Sequence, residues 1–338
     1  MRDWVYSKPT VDGMDAGIEP TGTYLRRVGV SEPNPDDTGQ SGIMHTYALL
    51  ALVSAVAMAS SGIIARFSGL AAAELTFYRL AVGGLCLLLY VSLSGRLGVL
   101  KGKPDWRMAV NGVLLASFML SFLSAIEYIS LANAIMLVYL APPLSAFIAH
   151  WLLQEKLDLP DSSLIMLSFL GFAILQQFKF DLVLDAAQLP GLLFGLLSLF
   201  AYSGFLLLNR RSLPAHSQLQ RTFYQLLIGA CCVLPFLTGI NLPTSDKLIW
   251  IVLAGIFPGF IAIYCAIIAL QHLPTRVYAT LAYLEPVTVI LAGWWLFNES
   301  LTVLQLGGVL LIILTGLLLA LRHKPARAVA AVADAVRL

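Results

Sequence analysis

Glu285 is a carboxylate near the middle of a long apolar run, directly before Pro286. An ionisable group at that depth in hydrocarbon is costly, so it faces a cavity or a partner. Its chemistry would be binding of a substrate ammonium or uptake of a proton. The competing role is a fixed hydrogen-bonding group that joins two helices. Arg79, preceded by Tyr78, lies inside an earlier run. It would attract a substrate carboxylate or gate the outer mouth; alternatively it pairs with Glu74 or Glu127. Glu155 and Glu299 stand where two apolar runs stop. A carboxylate is unfavourable at a helix C-terminus unless it reaches a cation or another helix's N-terminus. These two therefore read as helix-end anchors or gate latches.

Aromatic side chains could complete such a site. Tyr78, Tyr139, Tyr202, Tyr224, Tyr264 and Tyr283, with Trp294 or Trp295, are the candidates for a cavity wall. Aromatic faces bind cations and apolar groups, and they equally serve packing or interfacial belts. Pro142, Pro143, Pro258 and Pro286 fall within apolar runs, where each removes a backbone N–H and bends its helix. Freed carbonyls are tolerated at membrane depth only where they are buried or line a wet cavity, so these prolines are the expected hinges. His150 and His272 read as helix-end or packing residues.

The elements that must hold these residues are membrane helices. The 338 residues are 59% hydrophobic and only 12% charged, with mean hydropathy +0.83. Soluble domains are about 45–50% apolar and about 25% charged. Ten apolar runs follow one another at 44–66, 71–93, 107–129, 131–153, 161–178, 189–209, 217–239, 248–270, 276–297 and 301–321. A helix needs about 20 residues to cross the hydrocarbon, and the runs are continuous rather than alternating as in a β-barrel. Residues 1–43 are polar, lack a signal-peptide pattern and read as a disordered cytoplasmic tail; Met44, just before the first run, is an alternative start. Residues 322–338 form a second cytoplasmic tail. Cys86, Cys231, Cys232 and Cys265 all sit in apolar runs without metal-ligand spacing, so neither metal, disulfide nor cofactor is expected. No basic run carries interleaved aromatics, which gives nucleic-acid binding no support.

Charge placement sets the orientation. With the N-terminus in the cytoplasm, 17 of the 21 Lys and Arg fall on that side, Arg66, Lys179 and Lys247 fall opposite, and Arg79 lies inside a span. The positive-inside bias predicts N-in and C-in. The chain also repeats itself. Tyr139-Leu140, Pro142, Trp151, Glu155 and Leu157 recur 144 positions later as Tyr283-Leu284, Pro286, Trp295, Glu299 and Leu301. Thr76-Phe77-Tyr78-Arg79-Leu80 recurs as Thr222-Phe223-Tyr224-Gln225-Leu226, and Ala59, Ser61 and Gly62 recur as Ala201, Ser203 and Gly204. Five spans per unit is odd, so units 44–180 and 188–321 must enter the membrane in opposite senses. Inverted units of this kind carry substrates at their interface. The equivalence fails at two places, Ala141 against Glu285 and Arg79 against Gln225.

The ten spans, the two five-helix units, the Pro-to-Glu helix in each, Leu284-Glu285-Pro286 and Glu299-Ser300-Leu301-Thr302 together resemble the EamA-type members of the drug/metabolite transporter superfamily. That resemblance implies a central cavity between the halves. It also implies movement of a small metabolite, often an amino acid or related compound, outward across a bacterial inner membrane by alternating access. Uptake, multidrug-type transport and a non-transporting scaffold or receptor are the alternatives. The lipid bilayer and a small-molecule substrate are the expected partners, with proton coupling through Glu285 and a monomer or homodimer as the assembly. The chain has no Walker-type GxxxxGK[ST] loop, so direct ATP drive is not expected, and enzyme chemistry lacks a clustered set of acid–base or metal-binding residues. Cysteine accessibility labelling checks the inverted arrangement: position 155 is expected to label from the cytoplasm and position 299 from outside. Labelling of both from one side contradicts it.

Overall fold

A computed structural model describes residues 36–102, 105–179, 186–211, 217–237 and 245–322. Ser41–Leu338, the second of the two units into which the chain divides, is described below together with the start of its first helix. Most of the stretch read as an N-terminal tail, and all but the first residue of the C-terminal tail, lie outside the described residues. The described residues are helical and contain no strand. The helices are α1 (Asp36–Ser68), α2 (Ala72–Leu93), α3 (Trp106–Ala125), α4 (Leu131–Val138), α5 (Ala141–Leu152), α6 (Leu159–Leu175), α7 (Leu189–Arg210), α8 (Gln218–Val233), α9 (Ser245–Ala254), α10 (Ala262–His272), α11 (Thr275–Ala282), α12 (Leu284–Phe297) and α13 (Val303–Arg322). A π turn, Gly255–Ile261, joins α9 to α10.

Seven stretches among the described residues are long and apolar enough to cross a membrane, counting α4–α5, α9–α10 and α11–α12 as single rods. Leu159–Leu175 and Val303–Leu319 are shorter apolar helices. Helix α1 begins at Asp36, earlier than the first apolar run, and α8 ends at Val233 in a 3-10 turn, Leu234–Phe236, short of the run's expected edge. Side chains that satisfy orphan N–H groups start several helices. Asp105 accepts from the Arg107 N–H, Ser130 from Asn133, Asp158 from Asp161 and Ser217 from Gln220. Outside, rows such as Leu85, Leu89 and Leu93 are exposed, a face that suits lipid.

Inside, the apolar side chains form two principal groups. The larger draws Leu80, Met119, Phe205, Leu226, Ile263 and Tyr278 from α2, α3, α7, α8, α10 and α11. The second draws Met136, Phe172, Tyr283, Val287 and Ile312 from the last helices of each repeat. The broken rod α11–α12 contributes to both, with Tyr278 in the first group and Tyr283 and Val287 in the second.

Both rods break at equivalent residues. Tyr139 (φ −76°, ψ 0°) and Tyr283 (φ −71°, ψ −6°) close the first half-helices. Pro142 and Pro143 cannot donate to the carbonyls of Val138 and Tyr139, and Pro286 cannot donate to that of Ala282. The Tyr283 hydroxyl donates to the freed Tyr139 carbonyl at 2.8 Å, and Tyr283 is fully buried. One repeat thus supplies the donor that the other repeat's proline removed. Removing that hydroxyl as Tyr283→Phe leaves a buried carbonyl without a donor, which costs about 1–3 kcal/mol. Thermal unfolding in detergent is expected to show this loss; an unchanged midpoint would contradict the role assigned to the bond.

Candidate functional site

The break at Tyr283 places Glu285 in the first turn of α12. A carboxylate is favoured there by the unpaired N–H groups and the positive end of the helix dipole, which lessens the cost of its depth. The Tyr139 hydroxyl lies near the Glu285 carboxyl group. Tyr202, from α7, and Tyr278, from α11, stand within its electrostatic reach. Tyr202 stacks on Phe118 with ring centroids 4.6 Å apart, and Tyr278 bonds Ser54. Glu285, Tyr139 and Tyr202 keep some accessible surface in the middle of the fold, so they face space rather than only packed atoms.

Arg79 enters the same region from α2 and lies within electrostatic reach of Glu285. The two form no ion pair with each other. The Arg79 guanidinium donates to the Ser61 hydroxyl at 3.2 Å and to the sulfurs of Met119 at 2.9 Å and Met58 at 3.8 Å. Its Nε is buried without a partner. The expected alternative pairing with Glu74 or Glu127 does not form. At the equivalent position Gln225 is closed into packed polar groups, donating to Asn209 Oδ1 at 2.9 Å. Ala141, equivalent to Glu285, is fully buried.

The remaining aromatic candidates lie elsewhere. Tyr78 packs edge-on against Phe77. Tyr224 donates to the Leu100 carbonyl at 3.3 Å. Tyr264 stacks on Phe260 beside Leu87, Val91 and Leu219. The structure therefore gathers Glu285, Arg79, Tyr139, Tyr202 and Tyr283, and adds Tyr278, which sequence reasoning had not singled out. His272 stacks on Tyr47, and His150 Nδ1 lies 2.8 Å from the Glu155 carbonyl.

Glu155 and Glu299 follow similar helix ends. Gln154 and Asn298 adopt left-handed φ of 55° and 53°, and each glutamate N–H bonds the carbonyl six residues back, Ala149 or Gly293, at 3.3 Å. Their side chains then diverge. Glu155 pairs with Arg210 and accepts from the Thr275 N–H at 2.7 Å and the Thr275 hydroxyl at 3.2 Å, at the N-terminus of α11. Arg210 also donates to the Gln271 carbonyl at 2.8 Å. Glu299 pairs with Arg66, whose guanidinium lies over the Phe297 ring, and its carboxylate lies against Gly293, where a methyl group would overlap it. Ala149 carries that methyl in the first repeat, so Glu155 cannot fold back in the same way.

Sequence reasoning missed both arginine partners. The signal was present: Arg66 and Arg210 are also 144 apart. The two ends differ in strength. The Arg210–Glu155 side chains are 23% and 14% exposed, those of Arg66–Glu299 56% and 53%. Near Glu155, Asp161 pairs with Arg276 at 3.1 Å and Arg322 at 3.2 Å, and Asp158 with Arg322 at 2.9 Å. The corresponding region of the other end uses a neutral bond, Gln177 to Thr302 at 2.9 Å. A shallow pocket lined by Trp294, Trp295, Asn298, Glu299 and Ser300 also opens there. Exposed ion pairs contribute about 0–1 kcal/mol, whereas removing a charged partner of buried groups costs about 1–3 kcal/mol. Glu155→Gln is therefore expected to lower the unfolding temperature in detergent more than Glu299→Gln; equal losses would contradict the ranking.

Comparison with known proteins agrees with this architecture. The model of the EamA-like transporter family matches twice, at residues 45–176 and 189–321. The S-adenosylmethionine uptake transporter of Rickettsia conorii is 23% identical over 81% of this chain and 92% of its own length. The pseudopaline exporter CntI of Pseudomonas aeruginosa is 26% identical over 72% of this chain and 84% of its own. A solved crystal structure superposes with a TM-score of 0.71 at 19% identity, covering 80% of this chain and 96% of that one, which supports the fold alone. With its two matched repeats and its membrane-length apolar helices, the chain belongs to the EamA-like transporter family and is a multi-pass protein of the inner membrane.

Proposed function

We propose that this protein is a secondary transporter that moves a small zwitterionic metabolite, an amino acid or a relative of one, by alternating access. Ten spans in two inverted five-helix units, with both termini in the cytoplasm, carry the movement. One observation carries the substrate class: the Arg79 guanidinium and the Glu285 carboxyl group share one region without pairing to each other. A molecule bearing both an ammonium and a carboxylate satisfies them together, and unpaired charges at this depth are otherwise costly. Tyr139, Tyr202 and Tyr278 supply aromatic faces and hydroxyls around that molecule. Glu285 has a second task as the proton acceptor when substrate is absent.

Alternation follows from the ends. Glu155 with Arg210 closes the cytoplasmic side, and Glu299 with Arg66 closes the outer side. Each pair joins the last helix-end of one broken rod to the first helix of the opposite unit. Export is the leading direction. Uptake of the same substrate class is the second reading, favoured by the smaller exposure of the Glu155–Arg210 pair, which makes the outer pair the easier one to open. The relatives are named for both directions, one an uptake transporter and one an exporter.

Flux into and out of proteoliposomes, measured for the twenty amino acids and S-adenosylmethionine against their decarboxylated amines, tests this reading. At least one amino acid is expected to move faster than its amine. Glu285→Gln and Arg79→Gln should each slow that flux about thirtyfold or more while folded protein remains in the membrane, because each strands one charge of the substrate. No flux of any member, equal flux of the amines, or wild-type flux in Glu285→Gln would contradict it.

A further inference from the structure

The π turn between α9 and α10 is built around Pro258, which cannot supply the helical N–H. The Ala262 N–H reaches back five residues to the Phe257 carbonyl. Such turns insert one residue into a helix and are frequent at functional sites. Phe257 is turned outward, and the opposite side of the turn faces the protein. Gly255, Pro258 and Gly259 are buried, and the turn packs on α2.

The contact is between backbones. A methyl group on Gly259 would overlap the carbonyl oxygen of Arg79, and one on Gly255 would overlap Val82. From the other side, a methyl on Gly83 would lie 3.1 Å from the Cα of Gly259. The turn therefore presses on the peptide that carries Arg79. The guanidinium itself is weakly tethered, with one hydroxyl and two thioether sulfurs as partners and its Nε unpartnered. No carboxylate fixes its place, so its height relative to Glu285 is set through the backbone.

We infer that the π turn Gly255–Ile261 is a positioning element for Arg79, and that Gly259 is the positioning residue that lets the guanidinium sit at the depth where it meets a substrate carboxylate. The inference rests on Arg79 acting as the carboxylate-binding group of the proposed transporter. An α-helical turn in place of the π turn would rotate the two glycines off α2 and bring bulkier neighbours against Arg79. The helices would then separate, and Arg79 would withdraw from the substrate.

The experiment is a double-mutant cycle on the KM and maximal rate of the amino acid that moves fastest in proteoliposomes. Wild type, Gly259→Ala, Arg79→Gln and the double variant are compared. Gly307→Ala, whose added methyl meets nothing within 4 Å, is the control. A small misplacement of a binding group is enough to cost about tenfold or more. Gly259→Ala is expected to raise KM by that factor with the maximal rate unchanged, and the double variant should have the KM of Arg79→Gln alone. A wild-type KM in Gly259→Ala, or multiplied effects in the double variant, would overturn the inference and leave the transport proposal standing. A wild-type KM in Arg79→Gln would instead remove the carboxylate-binding reading itself. If Gly259→Ala fails to fold, Gly83→Ala, which makes a milder contact at the same crossing, is held to the same outcomes.

Discussion

A helix broken inside a membrane exposes carbonyls that have no water to turn to, and everything near Glu285 depends on how this chain meets that constraint. The first repeat carries two adjacent prolines, which free the carbonyls of Val138 and Tyr139. The second repeat returns a tyrosine hydroxyl to the Tyr139 carbonyl at 2.8 Å. This bond links equivalent residues of the two units at the point where both rods break. In the second rod Pro286 lets α12 begin afresh after Tyr283, and that new N-terminus lessens the cost of a carboxylate at position 285. The tyrosines near the carboxylate serve packing and polarity together: Tyr139 stacks with Tyr283 and packs tilted against Phe172, with its hydroxyl near Glu285.

Duplication gave the two units the same backbone devices, and single substitutions gave them different tasks. The left-handed residues at 154 and 298 and the six-residue return bonds are the same in kind. Ala149 against Gly293 then decides where the following carboxylate goes. With a methyl in the way, Glu155 reaches across to Thr275 and Arg210. With none, Glu299 lies on its own helix and shares itself only with Arg66. The result is one closed end held by half-buried charge and one held by an exposed pair. The same logic separates Arg79 from Gln225: one is left without a carboxylate partner, and the other is absorbed into a packed polar group.

Much of the fold was legible because lipid imposes long apolar runs, and the 144-residue offset was legible because equivalent positions kept their residue types. The prolines pointed to the breaks for a backbone reason that holds in any context. The cavity wall was harder. Tyr264 follows the π turn, whose extra residue rotates every later side chain away from the face expected of a regular helix. Tyr224 lies beside Gln225 in sequence but points to the Leu100 turn. The ion-pair partners were hidden for a different reason. Arg66 and Arg210 sit at helix ends, where basic residues are first read as markers of sidedness, although they share the offset of the glutamates they meet.

The central claim is that the two ion-paired ends open in turn around Glu285 and Arg79. A variant with cysteines at 155 and 210 in a background lacking Cys86, Cys231, Cys232 and Cys265 tests it directly, through flux of the transported amino acid before and after oxidation. Crosslinking is predicted to stop flux and reduction to restore it. Undiminished flux through the crosslinked protein would contradict the account.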